Sequence, residues 1–279
     1  IDFNSIISKY GYNDLVGLNI LFINMPLRES AKPNVPPQGP ALLAARLRQY
    51  GANPIILDLN AYRIPTTKEG GFRMLSLEEA EDLFLRYLSK YGDQDIIAFS
   101  GMITTLKWQE NFAYICRKHQ PDAFLLSGGG LASQLREGLF KWVDELDAVA
   151  HSEGDDVILI IGKQLIEKKN HNISFNNQSN PYYIGVINKK DRFLYAGNRP
   201  TNLGELPFAA WDLLEHDVDG NEVLEWYIKA SVWGGDSNNS SAAPFTMNRS
   251  LTTVSSRGCP YACTFCYRGG QGERLYGVR

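Results

Sequence analysis

Apolar runs of the ~20 residues needed to cross a bilayer are missing from this chain, and no basic-then-apolar leader opens it, so it reads as a cytoplasmic protein without a membrane span. Neither sign of charge dominates. The 28 Lys and Arg against 31 Asp and Glu leave a net charge of −3, which excludes a general attraction to nucleic acid or anionic lipid. Cysteine and histidine are scarce, four of each in 279 residues, too few thiols for a disulfide-stapled framework. The chain opens on Ile1 rather than Met and stops soon after its last cysteine, which points to a piece of a longer protein.

What is present is an apolar fraction of 44%, enough for a large packed core, and a regular alternation over the first 170 residues. Short apolar runs at 18 to 26, 53 to 60, 95 to 102, 122 to 130 and 147 to 154 end in Gly, Pro, Asn or Ser. Their near-continuous apolarity predicts strands buried on both faces of a parallel sheet. Helix-like segments lie between them. Residues 40 to 51 carry Pro40 in the first turn, Gly51 past the last, and Leu43, Leu47 and Tyr50 on one face. Residues 76 to 92 start at Ser76 before a Glu-rich turn, and residues 106 to 120 stop before Pro121. With further helices near 131 to 143 and 154 to 169, five β-α units predict a doubly wound, Rossmann-like α/β domain over 1 to 170. Ligands of such domains sit at the carboxyl ends of the strands.

Beyond 170 the pattern changes. Residues 171 to 245 read as a connector: a polar stretch, two strands around Lys189, Lys190 and Asp191, a Pro207 turn, and a Gly/Ser/Asn link at 234 to 244. Residues 250 to 256 read as a β-branched strand running into a cysteine loop. There Cys259, Cys263 and Cys266 have C-x3-C-x2-C spacing, with Gly258 and Pro260 shaping the turn. Three thiolates can converge on one centre. The spacing leaves three readings open: an iron–sulfur site, zinc completed by a distant or intermolecular ligand such as Cys116 or His216, or buried thiols. A 4Fe-4S cluster held by three cysteines keeps one iron free for a cofactor or substrate.

The stretch RGCPYACTFC resembles the C-x3-C-x-aromatic-C signature of radical S-adenosylmethionine enzymes, with Phe265 as the aromatic. The resemblance implies that Cys259, Cys263 and Cys266 hold a 4Fe-4S cluster, that its open iron binds S-adenosylmethionine, and that Phe265 lies near the adenine. It further implies reductive cleavage of that cofactor to start radical chemistry on a small-molecule substrate, with an electron donor such as flavodoxin or ferredoxin. Residues 246 to 279 would then be the first strand and cluster loop of a β/α barrel. Such a barrel needs ~250 residues, so the full-length protein is expected to be an enzyme and this piece inactive. The run GGQGE at 269 to 273 comes too soon after Cys266 for the family's Gly-Gly-Glu motif and reads as a loop.

The α/β part is similar to the cobalamin-binding domain of one subgroup of that family. DIIAFSGM and LLSGGG resemble its S-x-L and Gly-Gly signatures, and HSEGDD its Gly-Glu-Gly turn. The resemblance nominates Ser100, Gly101, Gly128, Gly129 and Gly154 as cobalamin contacts. Small residues there let backbone approach a bulky nucleotide tail; tight β-α turns without a ligand would use the same residues. D-x-H-x-x-G after the first strand is absent, which excludes a cobalt-ligating His from that loop. Of the histidines only His151, at a strand end, is placed to face a ligand, and it equally suits a satisfied turn. The competing function class is a non-catalytic α/β ligand-binding module ending in a zinc or redox cysteine knuckle. SGGGLAS lacks the third Gly of a dinucleotide fingerprint, DVDGNE lacks the Gly of a calcium loop, Cys116 reads as core, and Arg28, Glu29 and Lys32 read as a solvated loop.

Overall fold

Val, Ile, Leu and Phe runs become the central strands. In the computed structural model, which describes residues 3–27, 35–66, 71–171, 182–198 and 203–229 and singly Arg249, Leu251, Thr253, Val254, Arg257 and Thr264, a short helix α1 (Phe3–Ile7) precedes β1 (Asn19–Asn24). There follow α2 (Gln38–Arg48), β2 (Asn53–Asp58), a two-residue pair β3 (Ile64–Pro65) and β4 (Phe72–Arg73), α3 (Leu77–Tyr91) and β5 (Ile96–Ser100). Next come α4 (Leu106–His119), β6 (Phe124–Gly128), α5 (Gly129–Leu135), β7 (Ala148–His151) and α6 (Val157–His171). A hairpin of β8 (Tyr183–Ile187) and β9 (Lys190–Ala196) and a last helix α7 (Val223–Lys229) complete the described elements.

The sheet has seven strands in the order β2-β1-β5-β6-β7-β9-β8, parallel except for the β8/β9 pair. Its first five strands follow the winding of doubly wound domains, with the order reversing between β1 and β5. Period-two alternation divides the core into two layers. Ile20, Phe22, Ile96, Ala98 and Leu126 meet α2 and α6 on one face. Leu21, Ile23, Ile97, Phe99 and Leu125 meet α3, α4 and α5 on the other, where Cys116 is buried.

Local chemistry sets the element ends. Ser76 and Glu79 form a reciprocal capping box on α3. The segment expected as one helix at 131 to 143 divides instead: α5 stops at Leu135, Arg136 takes φ 49°, and a 3-10 turn over Arg136–Lys141 delivers Leu139 and Phe140 to the core. Asn188 and Lys189, both at positive φ, make the tight turn of the β8/β9 hairpin. That hairpin joins the main sheet, β9 running parallel to β7, so the sheet continues past residue 170. β8 is the edge strand and is kinked by an irregularity between Tyr183 and Gly185.

The chain then wraps α2. Ala210 donates its backbone N–H to Ala41, Arg48 pairs with Asp212 at 2.7 Å, and α7 docks beside β2 through Tyr227, whose hydroxyl donates to Asp58 at 2.5 Å. Asp217 closes the turn expected at Asp219 and Gly220: its carboxylate accepts from the Asp219 and Asn221 backbones and from the Tyr62 hydroxyl. Burial pushes the Asp217 carboxyl up, but these donors outweigh it and hold the group below its usual range. No described helix is long and apolar enough to cross a membrane.

Candidate functional site

The register of the sheet assembles a row of residues along its carboxyl edge. Asp58 pairs with Asn24, Asn24 with Ser100, and Ser100 with Gly128, all on the α2/α6 face. The row is large and polar at the β2 end and small from Ser100 onward. Together with Ala98 and Ala150, Ser100 and Gly128 leave too little side chain to fill the space between α2 and α6. The result is a cavity of about 480 Å³ at the carboxyl ends of β1, β5, β6 and β7. Phe22, Ala98 and Leu126 form its floor, Leu43 and Ile158 its helical walls, and Arg257 stands at its rim.

The structure brings together the nominated residues of the α/β part. Ser100, Gly128, Gly129 and Gly154 line the cavity. Gly101 lies just behind the wall: a Cβ there would fall 2.1 Å from Thr105 Oγ1 and 2.9 Å from Gln109 Nε2. Gly129 has φ 85°, and its missing Cβ would lie 3.4 Å from both the Gly101 carbonyl and Ser100 Oγ. Both glycines are therefore explained by close packing at the β-α turns, Gly101 against the Thr105 and Gln109 side chains and Gly129 against Gly101 and Ser100, as turns without a ligand would also require. Gly128 differs. The nearest atom to its would-be Cβ is the Ala150 carbonyl at 3.9 Å, so a side chain there would project into open space. A Cβ on Gly154 would lie 3.3 Å from Leu43 Cδ2, so this lining residue packs close to α2.

His151 borders the cavity through the end of β7, but strand alternation puts Ala150 rather than its imidazole on the cavity face. Burial lowers its basicity, and Arg136 adds to the effect. Cys259, Cys263, Cys266 and Phe265 lie outside the described residues, as do most of residues 250 to 256, expected as a strand, residues 234 to 244, expected as a link, residues 269 to 273, expected as a loop, and Arg28, Glu29 and Lys32. Among the described residues no group of three or more His, Cys, Asp or Glu could hold a metal. Cys116 is shut in the core, where burial raises its thiol well above the ordinary value, which removes it as a distant fourth ligand.

Sequence reasoning missed the polar rim. Arg257 donates from Nη1 to Glu153 Oε2 at 2.5 Å and to Asp155 Oδ2 at 2.6 Å, and from Nη2 to Asp155 Oδ1 at 3.1 Å. Gly197 was missed too: a Cβ there would lie 1.7 Å from the Glu153 carbonyl, so β9 ends flush against the turn that opens α6. A charged residue directly before the cysteine motif was the one available hint of the first contact; nothing local announces the second.

The fold and site thus define a doubly wound, mainly parallel α/β domain with a cavity at its carboxyl edge. Among solved structures the chain is similar to the cobalamin-dependent S-adenosylmethionine radical enzyme OxsB, seen with aqua-cobalamin and S-adenosylmethionine bound, at a TM-score of 0.57 and 16% identity over 94% of this chain. That likeness is one of fold, and the chain spans 30% of the length of that protein. A pyridoxal kinase from Staphylococcus aureus, in complex with AMP-PCP and pyridoxal, matches at a TM-score of 0.28 and 11% identity over 78% of this chain and 86% of that one, too low to carry an argument. No family profile and no curated protein matches the chain.

Proposed function

We propose that this chain is the cobalamin-binding and cluster-bearing part of a radical S-adenosylmethionine enzyme. One observation carries the reading: Arg257, two residues before Cys259, stands at the rim of the cavity formed by Ser100, Gly128 and Gly154. The residue that leads into the cysteine motif in sequence is thus part of the cavity lining. The likeness to OxsB, whose structure holds both cofactors, supports the same reading.

The residues present fit a cobalamin. A cavity of this size with a mostly apolar lining suits the bulky organic tail of that cofactor, and Gly128 keeps its floor open where any side chain would intrude. Ser100 and Ser152 add hydroxyls that can orient polar groups of a ligand. Cys259, Cys263 and Cys266 would hold a 4Fe-4S cluster as thiolates, and Phe265 would border S-adenosylmethionine. Bound there, these groups supply one-electron reduction of a sulfonium and, through cobalt, carriage of a methyl group or tuning of a radical step. The chain's own part is to bind, to orient and to exclude water. Substrate contacts and an electron donor such as flavodoxin or ferredoxin belong to the same proposal.

Anaerobic purification and reconstitution with iron and sulfide test it. About four irons per chain with a broad band at roughly 400 nm, lost on changing Cys259, Cys263 or Cys266 to Ala, is the expected result. Stoichiometric zinc in place of iron, or iron retained in all three variants, would overturn it in favour of a metal-knuckle module.

A further inference from the structure

Among the described residues, four other than glycine adopt the left-handed backbone region: Arg136, Ser152, Asn188 and Lys189. Three of them have an evident task in the fold. Arg136 ends α5 and turns Leu139 and Phe140 into the core, and Asn188 and Lys189 make the tight hairpin turn. Ser152, at φ 68°, lies between β7 and α6 and lines the cavity. A residue with a Cβ is strained in that conformation, and glycine is not. If the bend were all that the turn required, glycine would supply it at lower free energy.

The turn is held in place without the Ser152 hydroxyl. The Ser152 N–H donates to Ser133 Oγ at 3.1 Å and so ties the turn to α5. Among the described residues Ser152 Oγ has one partner, His151 Nδ1 at 3.4 Å, beyond the ~3.2 Å reach of ordinary protein hydrogen bonds. The hydroxyl therefore keeps its capacity to donate. A strained residue at a cavity wall is the kind of outlier from which function can be argued.

The size of the cavity says which part of a ligand meets it. About 480 Å³ takes a drug-sized group rather than a whole cobalamin, and the apolar floor of Phe22, Ala98 and Leu126 suits the aromatic base of the nucleotide tail. The ribose and phosphate of that tail are rich in acceptor oxygens.

We propose that Ser152 is a specificity-determining residue: its hydroxyl donates a hydrogen bond to an acceptor oxygen of the ligand's ribonucleotide tail, and the strained turn places it there. This rests on the function proposed above.

Equilibrium dialysis of the full chain against cyanocobalamin, and against dicyanocobinamide, which lacks the nucleotide tail, tests the assignment. Ser152→Ala keeps the Cβ, and with it the strain, and removes the hydroxyl alone. It should weaken cyanocobalamin binding roughly 3- to 10-fold, the range of one neutral hydrogen bond, and leave cobinamide binding where it is in wild type. Ser152→Gly should lose cyanocobalamin affinity by the same factor, yet unfold at a higher urea concentration than wild type when no ligand is present, because glycine relaxes the turn. A serine with a purely structural role would move stability and affinity down together. Near-ultraviolet circular dichroism matching wild type establishes that both variants are folded. Wild-type cyanocobalamin affinity in Ser152→Ala, an equal loss for both corrinoids, or a lower urea midpoint in Ser152→Gly overturns the inference and leaves the proposed function standing. Absence of cyanocobalamin binding by wild type overturns the cobalamin reading and the inference with it.

Discussion

Asp58 is a carboxyl set among donors rather than beside a cation. It is 3% exposed and accepts from the Tyr227 hydroxyl at 2.5 Å, Asn24 Nδ2 at 2.7 Å and the Asn60 backbone at 3.1 Å. Burial outweighs these donors and pushes the carboxyl up to about 6. Because the folded-state value lies above that of the unfolded chain, the folded protein binds this proton more tightly. Its contribution to stability is therefore full below about pH 4 and lost as pH rises through about 6. Asp58→Asn removes the titration. Urea midpoints measured across that window should show wild type losing ground to the variant by on the order of 2 kcal/mol at neutral pH; parallel profiles would refute the assignment. At this scale the sequence was readable where chemistry is local. Ser100, Gly128 and Gly129 announce themselves as strand-end turn residues. Asp58 with Tyr227 and Arg257 with Asp155 join residues more than a hundred positions apart, and no spacing rule reaches across such a gap.

Among the elements, α3 is the helix whose start rests most on a single side chain. Ser76 Oγ accepts from Glu79 N while Glu79 Oε2 accepts from Ser76 N, and Arg73 bonds both oxygens of the same carboxylate, holding it down at about 2. Ser76→Ala should lower stability by about 1 kcal/mol in urea unfolding and leave ligand binding at the cavity untouched, since α3 lies on the opposite face of the sheet. This cap was legible in the sequence, as were the five β-α units, because caps and buried runs are written within a few neighbouring residues. The pairing of β9 with β7 was not: a hairpin carries its own turn signal but no mark of the strand it will join. The tiny β3/β4 pair was equally silent, being too short for any period to show.

For the molecule as a whole, the cavity sits where α2, α6, four strand ends and the segment before the cysteines converge, so filling it should brace all of them at once. Cyanocobalamin at about a hundred times its dissociation constant should add ~2.7 kcal/mol and raise the thermal midpoint accordingly. Gly128→Phe, which places a ring in the open space above β6, should fold and show no such rise. A rise of equal size in both proteins would move the ligand away from this cavity. The far edge of the sheet has a different consequence. β8 has no charged side chain, and Ile184 and Val186 are exposed along it. What guards this border is shape: Gly185 at φ 121° bends the strand out of line, so a second copy finds no straight rail on which to zip. Gly185→Val would straighten that rail, and light scattering of concentrated solutions should climb within hours where the parent protein stays clear.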